Sequence, residues 1–118
     1  MAVVGQRDNF SGDMEVTAPT GGYTAGLIYL IQGEYVVARD TIAAAATGIV
    51  SVINDQPILV TKIAATGETF TAGQQVYVNS SAQADPGSTG NTKIIGVIAH
   101  ADAAATATSV WIRRGATA

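Results

Sequence analysis

Short apolar runs recur along this chain about every ten to fifteen residues, each closed by Gly, Asn, Asp, Pro or Thr. That rhythm constrains the fold more than any other feature, because it leaves no stretch long enough for an amphipathic helix stripe. It predicts strands near 13–17 (DMEVT), 27–31 (LIYLI), 34–38 (EYVVA), 49–53 (IVSVI), 57–63 (PILVTKI), 75–79 (QVYVN), 93–99 (KIIGVIA) and 108–113 (TSVWIR). Val, Ile, Tyr and Thr dominate these runs, as a pleated, half-buried surface prefers. Met14 and Val16 oppose Asp13, Glu15 and Thr17, and Val76 and Val78 oppose Gln75, Tyr77 and Asn79. Val110 and Ile112 likewise oppose Ser109, Trp111 and Arg113, the pattern of antiparallel sheets with one face in a core. "IQGE" (31–34) reads as a tight hairpin around Gly33 and "INDQP" (53–57) as a turn. The alanine runs at 43–46 and 100–107 lack an apolar stripe and read as loops or a single helical turn. "SSAQADPGSTGN" (80–91) reads as an exposed polar loop. The expectation is an all-β protein, a small antiparallel sandwich or barrel. One β domain spans residues 13–118, behind an extended N-terminal arm over 1–12.

Composition narrows the function. The 118 residues include no Cys and one His, which removes cysteine-based zinc, iron–sulfur and thiol chemistry. Only 13% of residues are charged and the net charge is −3, with no basic cluster beyond Arg113–Arg114, so no nucleic-acid partner is expected. The uncharged run 16–33 is broken by Pro19, Gly21 and Gly22, and no membrane span is expected. Mean hydropathy is nevertheless +0.27, which for a weakly charged chain implies surface covered by partners.

Catalytic constellations are missing. Any Ser–His–Asp triad would have to use His100, with Asp102 two residues on, and no G-x-S-x-G elbow exists. "DPGSTGNTK" (85–93) lacks the spacing of a phosphate-binding P-loop. Most Asp residues fall in turns, and Glu15, Glu34 and Glu68 read as solvent-facing. The chain is therefore read as a non-enzyme without cofactor or metal. Tyr77 and Trp111 point away from the core valines, toward a second sheet, a subunit contact or a sugar.

"YTAGLIYLI" (23–31) is echoed by "FTAGQQVYV" (70–78). The likeness fades after the glycine, so the two read as one local device rather than an internal repeat. "LIYLI" has no polar residue to turn toward water. Such a strand is either central and covered on both faces, or has its second face on a neighbour, and the neighbour is favoured.

Three segments, in order, resemble the capsid cement (decoration) proteins of tailed bacteriophages. "GDMEVTAPTGGYTAGLIYLIQGEYVVA" is similar to the family's opening strand, Gly-rich turn and hairpin. "ATGETFTAGQQVYVNSSAQA" resembles its "TGxxFxxGxxVYW" segment, and "TKIIGVIAHADAAATATSVWIRR" its ending, "xxIGxAxxAAxxxxxxVxVRL". Asn79 and "NDQPILVTK" depart from the usual pattern. Some members carry a recombinase label, which the missing P-loop does not support here.

The resemblance implies a β-sandwich or barrel, jelly-roll-like in some relatives, on the outer surface of the virion capsid. It would be made in the bacterial host cytoplasm and would staple neighbouring major capsid proteins against internal DNA pressure. The partners implied are the major capsid protein and copies of the chain itself, as dimer or trimer. Candidate partner-binding residues are Val3, Val4 and Phe10 on the arm, Leu27, Tyr29 and Ile31 on the apolar strand, and Trp111. The alternative is another phage structural module or a host-surface glycan-binding β module.

Overall fold

The computed structural model describes residues 13–116. Val3, Val4 and Phe10, with the expected arm, lie outside the described residues. Among the described residues nine strands form: β1 (Asp13–Thr17), β2 (Ile28–Ile31), β3 (Glu34–Ala38), β4 (Thr47–Val52), β5 (Ile58–Thr61), β6 (Gln75–Val78), β7 (Ala84–Asp85), β8 (Thr92–Ala99) and β9 (Ser109–Arg114). No helix occurs among the described residues; the alanine run at 43–46 is a turn, and that at 100–107 is bends and a turn with one bridge at Ala103. The fold is all-β, with two antiparallel sheets, in agreement with the sequence reading. The chain divides into two compact units, one ending at Ile53 and one beginning at Asn54.

The first unit is a four-stranded sheet in the order β1-β4-β3-β2. Its alternating residues do what their pattern demands. Met14 and Val16 of β1, Val50 and Val52 of β4, and Val36 and Ala38 of β3 share one buried cluster, completed by Ala18 and Ile42. Glu15 and Thr17, on the opposite phase of β1, are exposed. The β2–β3 hairpin turns through Gln32 and Gly33, both at positive φ (52° and 80°), the signature of a type I′ turn. β2 ends the sheet order and is an edge strand, which corrects the option that it is central and covered on both faces.

The second unit is a five-stranded sheet in the order β5-β9-β8-β6-β7. Its central strand β8 carries a bulge. Gln75 of β6 pairs with Ile98 and Tyr77 with Lys93, so β8 spends extra residues between the two pairs, with Gly96 at φ 77°. The bulge buries Ile94 and Val97 while leaving Ile95 exposed. β7 falls inside the stretch expected to be an exposed loop. The correction is physical: Ala84 and Asp85 pair with Val78 and Tyr77, and both are buried.

The two units repeat one another. Tyr23 and Ile42 exchange both main-chain hydrogen bonds (2.9 and 2.8 Å), and so do Phe70 and Ala103 (3.0 and 3.0 Å). Gly26 N donates to Ala38 O at 2.8 Å, and Gly73 N to Ala99 O at 2.8 Å. Ala38 N donates to Leu27 O at 3.3 Å, and Ala99 N to Gln74 O at 2.9 Å. The loop before each strand hangs on a side-chain oxygen, Thr41 Oγ1 for Ala25 N and Asp102 Oδ1 for Ala72 N. The sheet orders correspond strand for strand, β1-β4-β3-β2 with β5-β9-β8-β6, and β7 is an addition. This overturns the reading of "YTAG" and "FTAG" as mere local devices. What recurs is main-chain bonding and a glycine at φ 85° or 88°, which leave the following side chains free to diverge.

Candidate functional site

Of the expected partner-binding residues on β2, Tyr29 and Ile31 are half-buried and pack on the core cluster of the first unit. The Tyr29 hydroxyl accepts a hydrogen bond from Thr24 N at 2.8 Å, and its ring lies 4.6 Å from that of Tyr23. Leu27, also half-buried, accepts the Ala38 bond at the entry to the strand. The side chain this strand gives to solvent is Leu30, on the other phase, at 60% exposure. The sequence alternation could have flagged it, but five apolar residues in a row hide which phase faces inward.

Trp111 stands exposed on β9, 45% accessible, directly opposite the exposed Leu59 of β5. On its other side His100 N donates to Trp111 O at 2.7 Å. The His100 imidazole accepts at Nδ1 from Arg113 Nε, 3.0 Å away, and Asp102 is occupied with Ala72 N. The ring nitrogen is thus held by a guanidinium and not, among the described residues, by a carboxylate. The surface around Trp111 is thus one indole, one leucine and an Arg–His pair, without a second aromatic ring against the indole among the described residues.

A second feature was not visible in the sequence. Lys62 is only 1% exposed and holds the place that Ala18 holds in the first unit, with Ala18 N bonded to Ala46 O and Lys62 N to Thr108 O. Its ammonium donates to Ile63 O at 2.6 Å, Ala105 O at 3.2 Å and Ala107 O at 3.3 Å. Beside it lie Glu68 and Asp85, which line a polar recess of about 480 Å³ together with Asn79, Ser81, Gln83 and Asn91. Asp85 is 5% exposed, and its carboxylate accepts from Gly87 N at 2.8 Å and Asn79 Nδ2 at 3.4 Å. Glu68 Oε2 is buried without a partner of its own, contrary to the expectation that Glu68 faces solvent.

The electrostatics follow from burial. Desolvation lowers the Lys62 ammonium below its ordinary pKa, against the opposing pull of the Glu68 and Asp85 charges. Desolvation also raises Glu68, and the charge of the neighbouring Asp85 raises it further. The described residues offer no group of three or more His, Cys, Asp or Glu able to hold a metal.

The model of the family described as phage cement protein matches residues 9–114, nearly the whole chain and both units. The chain belongs to the phage cement proteins. Against curated proteins and against solved structures no match is found. Membership makes this a structural protein of the phage capsid, and the matched span includes Phe10 but begins after Val3 and Val4.

Proposed function

We propose that this cement protein binds the outer surface of the assembled capsid and staples neighbouring major capsid proteins, strengthening the shell against the pressure of packaged DNA. The observation that carries the reading is the surface itself. A chain with 13% charged residues leaves Leu30, Ile49, Leu59, Ile95 and Trp111 exposed, and a family of capsid proteins supplies the partner that would cover them. A ligand that binds the assembled shell and not its loose subunits stabilises the shell by mass action, about 2.7 kcal/mol per site at a hundredfold excess over Kd. Residues 1–12, with Val3, Val4 and Phe10, are proposed to lie along a capsid subunit, and synthesis is proposed to occur in the host cytoplasm. A glycan-binding role would call for stacked aromatics, and Trp111 has Leu59 rather than a second ring opposite it.

The test is pelleting of undecorated, expanded shells with the purified protein. Saturable co-sedimentation, density over capsomer junctions by electron microscopy and greater heat resistance of the shells are expected. Deleting residues 2–10 is expected to leave a folded protein that pellets weakly. Shells that bind no protein at saturating concentration would refute the reading.

A further inference from the structure

Sheet edges expose unpaired main-chain groups, and natural proteins defend them with charge, proline, bulges, shortness or cover. Among the described residues, three of the four edges are defended. β1 carries Asp13 and Glu15, β5 is entered directly from Pro57, and β7 is two residues long. β2 has none of these devices. Its four residues, Ile28–Ile31, are all apolar, it pairs with β3 alone, and Leu30 stands 60% exposed on it.

The internal repeat shows what such an edge accepts. The strand equivalent to β2 in the second unit is β6, and there the same edge is occupied by β7. Asn79 N donates to Gln83 O at 3.1 Å, which places Tyr77 and Asp85 two residues along in a bonded pair. Tyr77 is the counterpart of Leu30, counted from the equivalent glycines Gly73 and Gly26. In the β2–β3 hairpin the two-residue turn makes Ile31 and Glu34 the bonded pair that closes it, and bonding alternates from there. Tyr29 and Ile31 therefore spend their main-chain groups on β3, while those of Ile28 and Leu30 point outward. Among the described residues no other main-chain group bonds to them.

We propose that the β2 edge is a self-association site, at which a second copy of this chain adds its own β2 antiparallel to the first. The strand is self-complementary in a two-fold arrangement. Setting Tyr29 opposite its counterpart pairs Ile28 with the second copy's Leu30, and Leu30 with the second copy's Ile28, through their outward main-chain groups. The four-stranded sheet of each copy becomes half of a continuous eight-stranded one. The exposed Leu30 gains an apolar neighbour, and the two Tyr29 rings face each other across the ladder. No charged side chain on Ile28–Ile31 selects against its own copy, and the Tyr29 hydroxyl already has Thr24 N as a partner. The proposal is independent of whether the protein staples shells.

The experiment is sedimentation velocity from about 5 to 500 µM, a range that resolves weak dimers, on the wild type, Leu30→Lys and Leu30→Pro. Proline at position 30 removes only the outward N–H, which an edge strand tolerates, and circular dichroism checks that both variants fold. The wild type is expected to dimerise. Each variant counts twice through the two-fold, so the dissociation constant is expected to rise by about 100-fold, a factor of about ten at each of two sites. A wild type that stays monomeric throughout overturns the proposal, as does a dimer unmoved by either variant. If the wild type is monomeric but Leu30→Lys weakens shell pelleting, the edge takes a capsid strand instead of a second copy. If shells bind nothing yet Leu30→Lys dissolves the dimer, this inference stands while the stapling reading falls. Should Leu30→Pro fail to fold, Leu30→Lys and Leu30→Thr carry the comparison.

Discussion

Replacing Lys62 by Met keeps the aliphatic stem and removes the ammonium, isolating what the charge does in the second unit. Three carbonyls lose a donor: Ile63 O at 2.6 Å, Ala105 O at 3.2 Å and Ala107 O at 3.3 Å. A buried acceptor left unsatisfied costs about 1–3 kcal/mol. Because Ala105 and Ala107 are only half-buried, the lower end applies, near 1 kcal/mol each. The Glu68–Asp85 pair also loses its counter-charge, which adds to the loss. Against this, the variant no longer has to desolvate an ammonium, the effect that lowers the Lys62 pKa. The balance is a destabilisation of about 2–3 kcal/mol, or about 10 °C in Tm for a chain of this size. Urea unfolding followed by far-ultraviolet circular dichroism measures it, with Lys62→Met/Glu68→Gln closing a double-mutant cycle. A Lys62→Met protein as stable as the wild type, or more stable, would show that the ammonium is tolerated rather than required.

Three further expectations follow from particular contacts. Glu68 binds its proton more tightly in the folded chain, so its contribution to stability is full below the ordinary carboxylate range and is lost as pH rises through the elevated value. Glu68→Gln should flatten that decline between wild-type unfolding curves taken from pH 4 upward; an unchanged slope would remove Glu68 as its source. A methyl group at Gly22, which has φ 69°, would run into Ile42 O, whereas at Gly21 (φ 94°) it would meet nothing within 4 Å. Gly22→Ala should therefore cost about 3 kcal/mol and Gly21→Ala about 1 kcal/mol in denaturant melts, and equal costs would contradict the packing. Ile112, fully buried on β9, should cost about 3 kcal/mol on truncation to Ala, with the midpoint lowered at constant m-value.

The strands were legible because alternation in a half-buried sheet is written directly into residue order. Met14/Val16 and Val110/Ile112 point inward as their spacing demands. β7 was not legible, since two residues in a Ser-, Gly- and Asn-rich segment carry no period. The position of β2 was equally hidden: a run of five apolar residues suits a covered strand and an undefended edge alike. Glu68 read as solvent-facing and Lys62 drew no expectation, because burial of a lone lysine depends on carbonyls at 105 and 107 that sequence distance separates from it. The repeat escaped for the opposite reason. Its conserved content is hydrogen bonding by main-chain groups, which every residue carries, so Ile42 can stand where Ala103 stands without any trace in the letters.

That repeat also shows where foreign sequence can be spliced in. At the point where the first unit turns from β2 to β3 through Gln32 and Gly33 alone, the second unit runs the whole of 79–91 between β6 and β8. The frame has thus already been solved with a long insert at that position, its flanking strands still in the same order. The Gln32–Gly33 tip is a natural graft point for peptide display, with a cargo loop entering and leaving through strand ends whose partners stay in place.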